Sequence, residues 1–213
     1  MPNSRIAKRR LYGFIDTAYL GPRDPGDVAR AMIEGGVDVI QVRAKALTHP
    51  QRVKLGLAVV GVAFRYEVPV IVNDDVDVAF EVGADGVHLG QEDWAAIPRE
   101  TRVKWLANMR IVGISTHSLE QALAAERDGA DYIGVGPIFA TATKPGVRPV
   151  GLGLIQQVRE RVALPFFAIG GITLENVNEV LEAGAERIAV VSAILCAPDV
   201  MKAAAAFNMR LAG

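Results

Sequence analysis

The residues able to do chemistry sit in a few short strings. QVRAK places Gln41, Arg43 and Lys45 at alternate positions. On an extended strand, alternate side chains share a face, so these three are expected to face one cavity. An amide, a guanidinium and an ammonium together make an anion-binding edge. The plainer reading is a charged strand end, but Gln41 and Arg43 interrupt an apolar run on one side only. VNDD supplies Asn73, Asp74 and Asp75, and HLGQED supplies His88, Gln91, Glu92 and Asp93. If these strings end neighbouring strands, about 4.8 Å apart, Asp74 and Asp93 can share one cation. Oxygen ligands without thiolate or a histidine pair suit magnesium, which commonly joins carboxylates to substrate phosphates. The same acids would equally serve as helix N-terminal charges, and residue type alone leaves both readings open.

A second group lies further along. GISTH holds Ser115, Thr116 and His117. Ser115 or Thr116 would suit a helix cap, and His117 a proton donor or a hydrogen-bond donor to phosphate. TATK holds Thr141, Thr143 and Lys144, two hydroxyls and an ammonium suited to a phosphorylated ligand. Gly170-Gly171 and Ser192-Ala193 follow two late apolar runs. Backbone amides at such places form a phosphate cradle in parallel barrels. Two anion sites, only one of them with a metal, point to an enzyme that joins or exchanges two phosphorylated small molecules.

The elements that must position these residues are legible as apolar runs. Strands are predicted over Leu11–Asp16, Val37–Arg43, Val68–Val72, Asp85–Leu89, Arg110–Ile114, Asp131–Gly136, Leu164–Ile169 and Glu186–Val191. They are short, Val- and Ile-rich and mostly apolar at successive positions, as strands buried on both faces are. Segments such as HSLEQALAAERDG and LENVNEVLEAGA lie between them, with apolar spacings of three and four and a closing glycine. Alternation of strand and helix implies parallel pairing. A repeat strengthens this: EGGVDVIQV, EVGADGVHL, RDGADYIGV and EAGAERIAV each run from a helix end through glycine and an acid into a strand. Each interval holds two strand–helix units, so four give eight strands. The expected fold is a single-domain (β/α)8 TIM barrel over residues 1–213, with 1–10 as an N-terminal extension. A doubly wound open sheet is the alternative.

Composition bounds the rest. The 213 residues are 51% hydrophobic and 22% charged, near globular averages, which excludes a disordered chain. Lys plus Arg number 23 against 24 Asp plus Glu, a net charge of −1, so the bulk charge points to neither nucleic acid nor an acidic membrane surface. No apolar run reaches the roughly 18 residues a membrane span needs, and Asp16 interrupts the stretch that a signal peptide would require. A cytoplasmic setting is expected, with monomer and homo-oligomer both open. Cys196 is the one cysteine, which excludes an intrachain disulfide, and it is expected as a small core residue near the last helix.

Over nearly the whole chain after about residue 10, the strings QVRAK, VNDDVDVAFEVGADGVHLGQED, GISTHSLEQA, ADYIGVGPIFATATK, FAIGGI and VVSAI, in this order, resemble the thiamine-phosphate synthase family. The resemblance implies a magnesium-dependent barrel that condenses a hydroxymethylpyrimidine diphosphate with a thiazole phosphate, or its carboxylated tautomer, and releases diphosphate through a dissociative, carbocation-like step. It implies that Gln41, Arg43, Lys45, Asn73, Ser115 and Lys144 hold the pyrimidine diphosphate. Asp74 and Asp93 would hold magnesium, and Thr141, Thr143, Gly171, Val191 and Ser192 the thiazole phosphate. Arg43, Lys45, Ser115 and Lys144 are the expected catalytic group. Asp75 and Ala46 depart from the family pattern, and Asp75 is expected either to alter magnesium affinity or to pair with Arg43. Two other functions stay open: a thiazole tautomerase of the same superfamily using His117, and a non-catalytic barrel that binds a phosphorylated ligand.

Overall fold

Runs of β-branched residues form eight strands, and burial on both faces closes them into a ring. The computed structural model describes residues 4–98, 100–102, 111–141, 143 and 146–212. Its strands are β1 Leu11–Asp16, β2 Val39–Arg43, β3 Val70–Asn73, β4 Gly86–Leu89, β5 Ile111–Thr116, β6 Tyr132–Val135, β7 Phe166–Ile169 and β8 Ile188–Val190. Each pairs in parallel with the next, and β1 pairs with β8, so the sheet is a closed barrel. The expected fold is therefore the observed one, an eight-stranded parallel barrel with helices between the strands.

The repeated acid has a structural task. The first N–H of a parallel strand can lack a ladder partner, and burying it unpaired is costly. Asp38, just before β2, accepts from the N–H groups of Arg10 (2.9 Å) and Leu11 (2.9 Å) at the start of β1. Asp85 does the same for Val70 of β3 at 3.1 Å, and Asp131 for Val112 of β5 at 2.7 Å. Glu186 breaks the series: it is exposed and pairs with Arg187 at 3.2 Å. The four repeat glycines, Gly36, Gly83, Gly129 and Gly184, all have positive φ, which is why each helix can turn back into a strand there.

The inside of the ring is aromatic. Tyr12, Phe14, Tyr132 and Phe167 cluster with Ile71, Ile111 and Val39, apart from the larger core between strands and helices. Gly113 makes room for this: a Cβ there would stand 2.1 Å from Cζ of Tyr132. Below the ring, the helix Ser4–Ala7 buries Ile6 completely in the same interior cluster. The Arg187 guanidinium donates to the Ala7 carbonyl at 2.7 Å. Part of the segment expected as an extension thus packs into the barrel floor.

Cys196 corrects an expectation. It is exposed, because the helix Ser192–Leu195 spends its two buried positions on Ile194 and Leu195 and ends before the cysteine. Among the described residues no helix is long and apolar enough to cross a membrane.

Candidate active site

All eight strands deliver their C-terminal ends to one mouth, which holds a cavity open to solvent. Gln41, Arg43, Asn73, Ser115, Thr141, Thr143, Gly171, Val191 and Ser192 all line it, as does His117. Residues as far apart in sequence as Gln41 and Ser192 thus come together, and with them nearly every expected binding residue. Lys45 is the exception. Strand alternation stops with β2 at Arg43, so Lys45 lies beyond the strand and lines a neighbouring hollow with Asp74, Asp75 and Arg52. Asn73 borders both spaces. Lys144 lies outside the described residues.

The shoulder over β2 and β3 is a web of charges. The Arg43 guanidinium donates to Asp16 at 2.7 Å, and the Asp16 side chain is only 2% exposed. Asp16 also accepts from the Ala18 N–H at 3.0 Å, so its carboxylate is held by the backbone as well as by Arg43. Lys45 pairs with Asp74 at 3.2 Å, and Asn73 donates to the same carboxylate. Asp75 does not pair with Arg43, the partner expected for it. It caps the helix Val76–Glu81 through the Val78 N–H and pairs with Arg52 at 2.9 Å, while Arg43 is held by Asp16.

Asp74 sits at φ +62°, in the left-handed region, and the Asp75 N–H donates to the Asn73 carbonyl across it at 2.9 Å. A non-glycine residue held there costs on the order of 1 kcal/mol. Its own N–H donates to the His88 carbonyl at 2.9 Å, which ties the turn to β4. Asp93, in the first turn of the helix Gln91–Ala96, is exposed, and its Oδ2 would stand 3.0 Å from a Cβ on Gly90. Among the described residues no three acidic, histidine or cysteine side chains form a metal cage. Asp74 stands beside Lys45 and Asn73, whereas Asp93 lines neither hollow. A carboxylate such as Asp74 is of the type magnesium takes, completing its shell with water and substrate phosphate.

The cavity floor carries a polar chain. Gln41 Nε2 donates to the Tyr12 hydroxyl at 2.9 Å. The Tyr12 and Tyr132 hydroxyls are 2.9 Å apart, Tyr132 and His88 Nδ1 are 2.9 Å apart, and His88 Nε2 and Ser115 Oγ are 2.9 Å apart. Burial holds both phenols well above the usual tyrosine range, so both keep their protons. Gln91 Nε2 donates to the Ser115 carbonyl at 2.6 Å, which joins this floor to the helix bearing Asp93. Neither Ser115 nor Thr116 caps the following helix. Ser118 does, accepting from the Gln121 N–H, so Ser115 is left to the cavity.

The far side of the mouth is made of glycines, hydroxyls and a helix start. Gly170 and Gly171 have φ of +99° and +66°, and a Cβ on Gly171 would stand 2.6 Å from the Ala140 carbonyl oxygen. Only glycine lets these two loops approach so closely. Beside them, after the neighbouring β8, Val191 and Ser192 open the helix Ser192–Leu195, whose first N–H groups have no intrahelical acceptor. Thr143 is bonded to the Tyr19 hydroxyl at 3.1 Å, and Thr141 accepts from the Thr143 N–H at 3.2 Å.

The family model for thiamine monophosphate synthase matches residues 11–194. The chain belongs to that family. Among its relatives, the thiamine-phosphate synthase of Shouchella clausii is 46% identical over 92% of this chain and 93% of its own length. The Thermus thermophilus protein of the same name is 47% identical over 88% of this chain and 89% of its own length. A solved structure of thiamine phosphate pyrophosphorylase from Pyrococcus furiosus superposes with a TM-score of 0.86 at 37% identity, covering 97% of this chain and 96% of that one. A 3-hexulose-6-phosphate synthase shares the fold alone, with a TM-score of 0.66 at 23% identity, covering 94% of this chain and 98% of that one. Within this family site, the residues that sequence reading missed are Asp16, Tyr12 and Tyr132. Their signal was present: Tyr12 sits next to Gly13, and Tyr132 two residues before Gly134, on otherwise apolar strands in LYGFID and DYIGVG.

Proposed function

We propose that the chain is a thiamine phosphate synthase, a transferase that joins a hydroxymethylpyrimidine diphosphate to a thiazole phosphate and releases diphosphate. What carries the reading is a single barrel mouth with two unlike anion sites. The cationic and carboxylate shoulder of Arg43, Lys45 and Asp74 stands on one side, the glycine and hydroxyl cradle of Gly171, Thr141 and Ser192 on the other. Magnesium, held by Asp74 and Asp93, would supply charge neutralisation for the diphosphate. Arg43 and Lys45 add fixed positive charge where the leaving oxygen becomes negative. Lys144 is assigned to the same task. Gln41, Asn73 and Ser115 hold the pyrimidine above the aromatic floor, and Thr141, Thr143, Gly171, Val191 and Ser192 hold the thiazole phosphate so that its ring nitrogen faces the pyrimidine methylene carbon.

The bond from that carbon to the diphosphate oxygen breaks, positive charge develops on the carbon, and the thiazole nitrogen attacks it. No side-chain nucleophile is needed, so catalysis is positioning and electrostatics. The apolar ring below the carbon, Phe14, Tyr12 and Phe167, keeps water from it. The reading places the enzyme in the cytoplasm, with small-molecule substrates as its partners. The test is incubation of the purified protein with both substrates and magnesium. Equimolar diphosphate and thiamine phosphate are the expected products. Isomerisation of the thiazole alone would favour the tautomerase, and ligand binding without turnover the non-catalytic barrel.

A further inference from the structure

Five polar groups from five different strands form an unbroken chain beneath the cavity: Gln41 on β2, Tyr12 on β1, Tyr132 on β6, His88 on β4 and Ser115 on β5. All five border the cavity, with Tyr12 and Tyr132 buried at the middle of the chain. Each hydroxyl has one proton, and neutral imidazole has one N–H and one bare nitrogen. The direction of any one bond therefore sets all the others.

Gln41 donates its amide N–H to Tyr12. Tyr12, accepting there, gives its proton to Tyr132. Tyr132 in turn gives its proton to His88 Nδ1, which leaves the His88 proton on Nε2, donated to Ser115 Oγ. The Ser115 proton is then the one not consumed by the chain. Burial keeps both phenols protonated, as the order requires. Arg43 lies two residues beyond Gln41 on the same face of β2, and its positive charge favours the amide oxygen, not the NH2, on the cavity side.

We propose that this chain is a polarity-setting device: Tyr12, Tyr132 and His88 are positioning residues that make Gln41 present an acceptor and Ser115 a donor to the ligand. The reversed order, with Gln41 flipped, would satisfy every bond too but would present the opposite pair. The proposed order suits a ring with an amino donor and a bare ring nitrogen. It opposes the oxo tautomer, whose carbonyl and ring N–H invert both. The inference rests on the function proposed above and deepens it into a rule for which pyrimidine is accepted.

Two measurements test it. In ligand-free protein labelled with ¹⁵N-histidine, the His88 signal, assigned by its loss in His88→Gln, is expected to show a neutral Nε2–H ring. An Nδ1–H ring overturns the proposal, and this readout does not depend on activity. In steady-state kinetics, Tyr132→Phe cuts the chain at its middle while keeping the ring. Its kcat/KM for the amino-pyrimidine diphosphate is expected to fall roughly tenfold, the scale of one hydrogen bond to a properly oriented partner, with KM for the thiazole phosphate within about twofold. Its preference for the amino over the oxo pyrimidine is expected to shrink by the same factor. Unchanged preference overturns the proposal. A wild-type protein that makes no thiamine phosphate sinks the proposed function instead, and the His88 tautomer then still decides the order of the chain.

Discussion

At the scale of single residues, Asp74 shows strain at a place assigned to chemistry. It holds a left-handed backbone while pairing with Lys45, and neither feature helps the barrel fold. Asp74→Gly relieves the conformation and removes the carboxylate, so Tm should stay level or rise slightly while magnesium-dependent turnover collapses. Thermal unfolding paired with kinetics checks this, and a Tm drop of several degrees would make the carboxylate structural. Asp93 is exposed and has no hydrogen bond or ion pair with another side chain among the described residues. Asp93→Ala should therefore leave Tm unchanged and cut kcat by roughly 10²-fold, the scale of losing one strong electrostatic stabiliser. Wild-type rates in that variant would remove Asp93 from the metal site.

At the scale of elements, the acids before β2, β4 and β6 pin the starts of β1, β3 and β5. Burial holds the Asp38 carboxyl above the usual carboxylate range, against the pull of the N–H groups of Arg10 and Leu11. A raised native pKa makes its charge a liability as pH climbs through that pKa, so the useful part of Asp38 is its acceptor oxygens. Asp38→Ala strands two N–H groups and should cost about 2 kcal/mol, near 6 °C in Tm. Asp38→Asn keeps an acceptor without the charge and should cost less than half of that. Equal losses in the two variants, measured by calorimetry at neutral pH, would mean the charge itself matters.

At the scale of the whole molecule, the barrel has two ends with separate work. The upper end carries the proposed site, and the lower end is sealed by Ile6 against the aromatic interior. Conservation of work between the ends predicts that changes below alter stability alone. Ile6→Ala empties a fully buried site and should cost roughly 2–4 kcal/mol, lowering Tm by about 8 °C at 3 kcal/mol. Both KM values should be unchanged below the transition. A shifted KM for the pyrimidine diphosphate would mean that the floor chain through Tyr12 feels the plug.

The strand–helix alternation, the four glycine–acid repeats and the strings at the strand ends are local patterns. Chain order alone therefore determined an eight-stranded barrel with its site at the C-terminal ends, and β1 even in its exact bounds of Leu11–Asp16. Inward alternation also identified Gln41 and Arg43 as cavity residues, since that follows from a period of two. What meets across the ring follows instead from how the strands are staggered, which no local pattern encodes. Tyr12 reaches Tyr132 over 120 positions, Asp16 and not Asp75 holds Arg43, and Lys45 leaves the mouth because β2 ends two residues earlier. Cys196 faces solvent for the same kind of reason: its neighbours Ile194 and Leu195 fill the only inward positions the short helix offers.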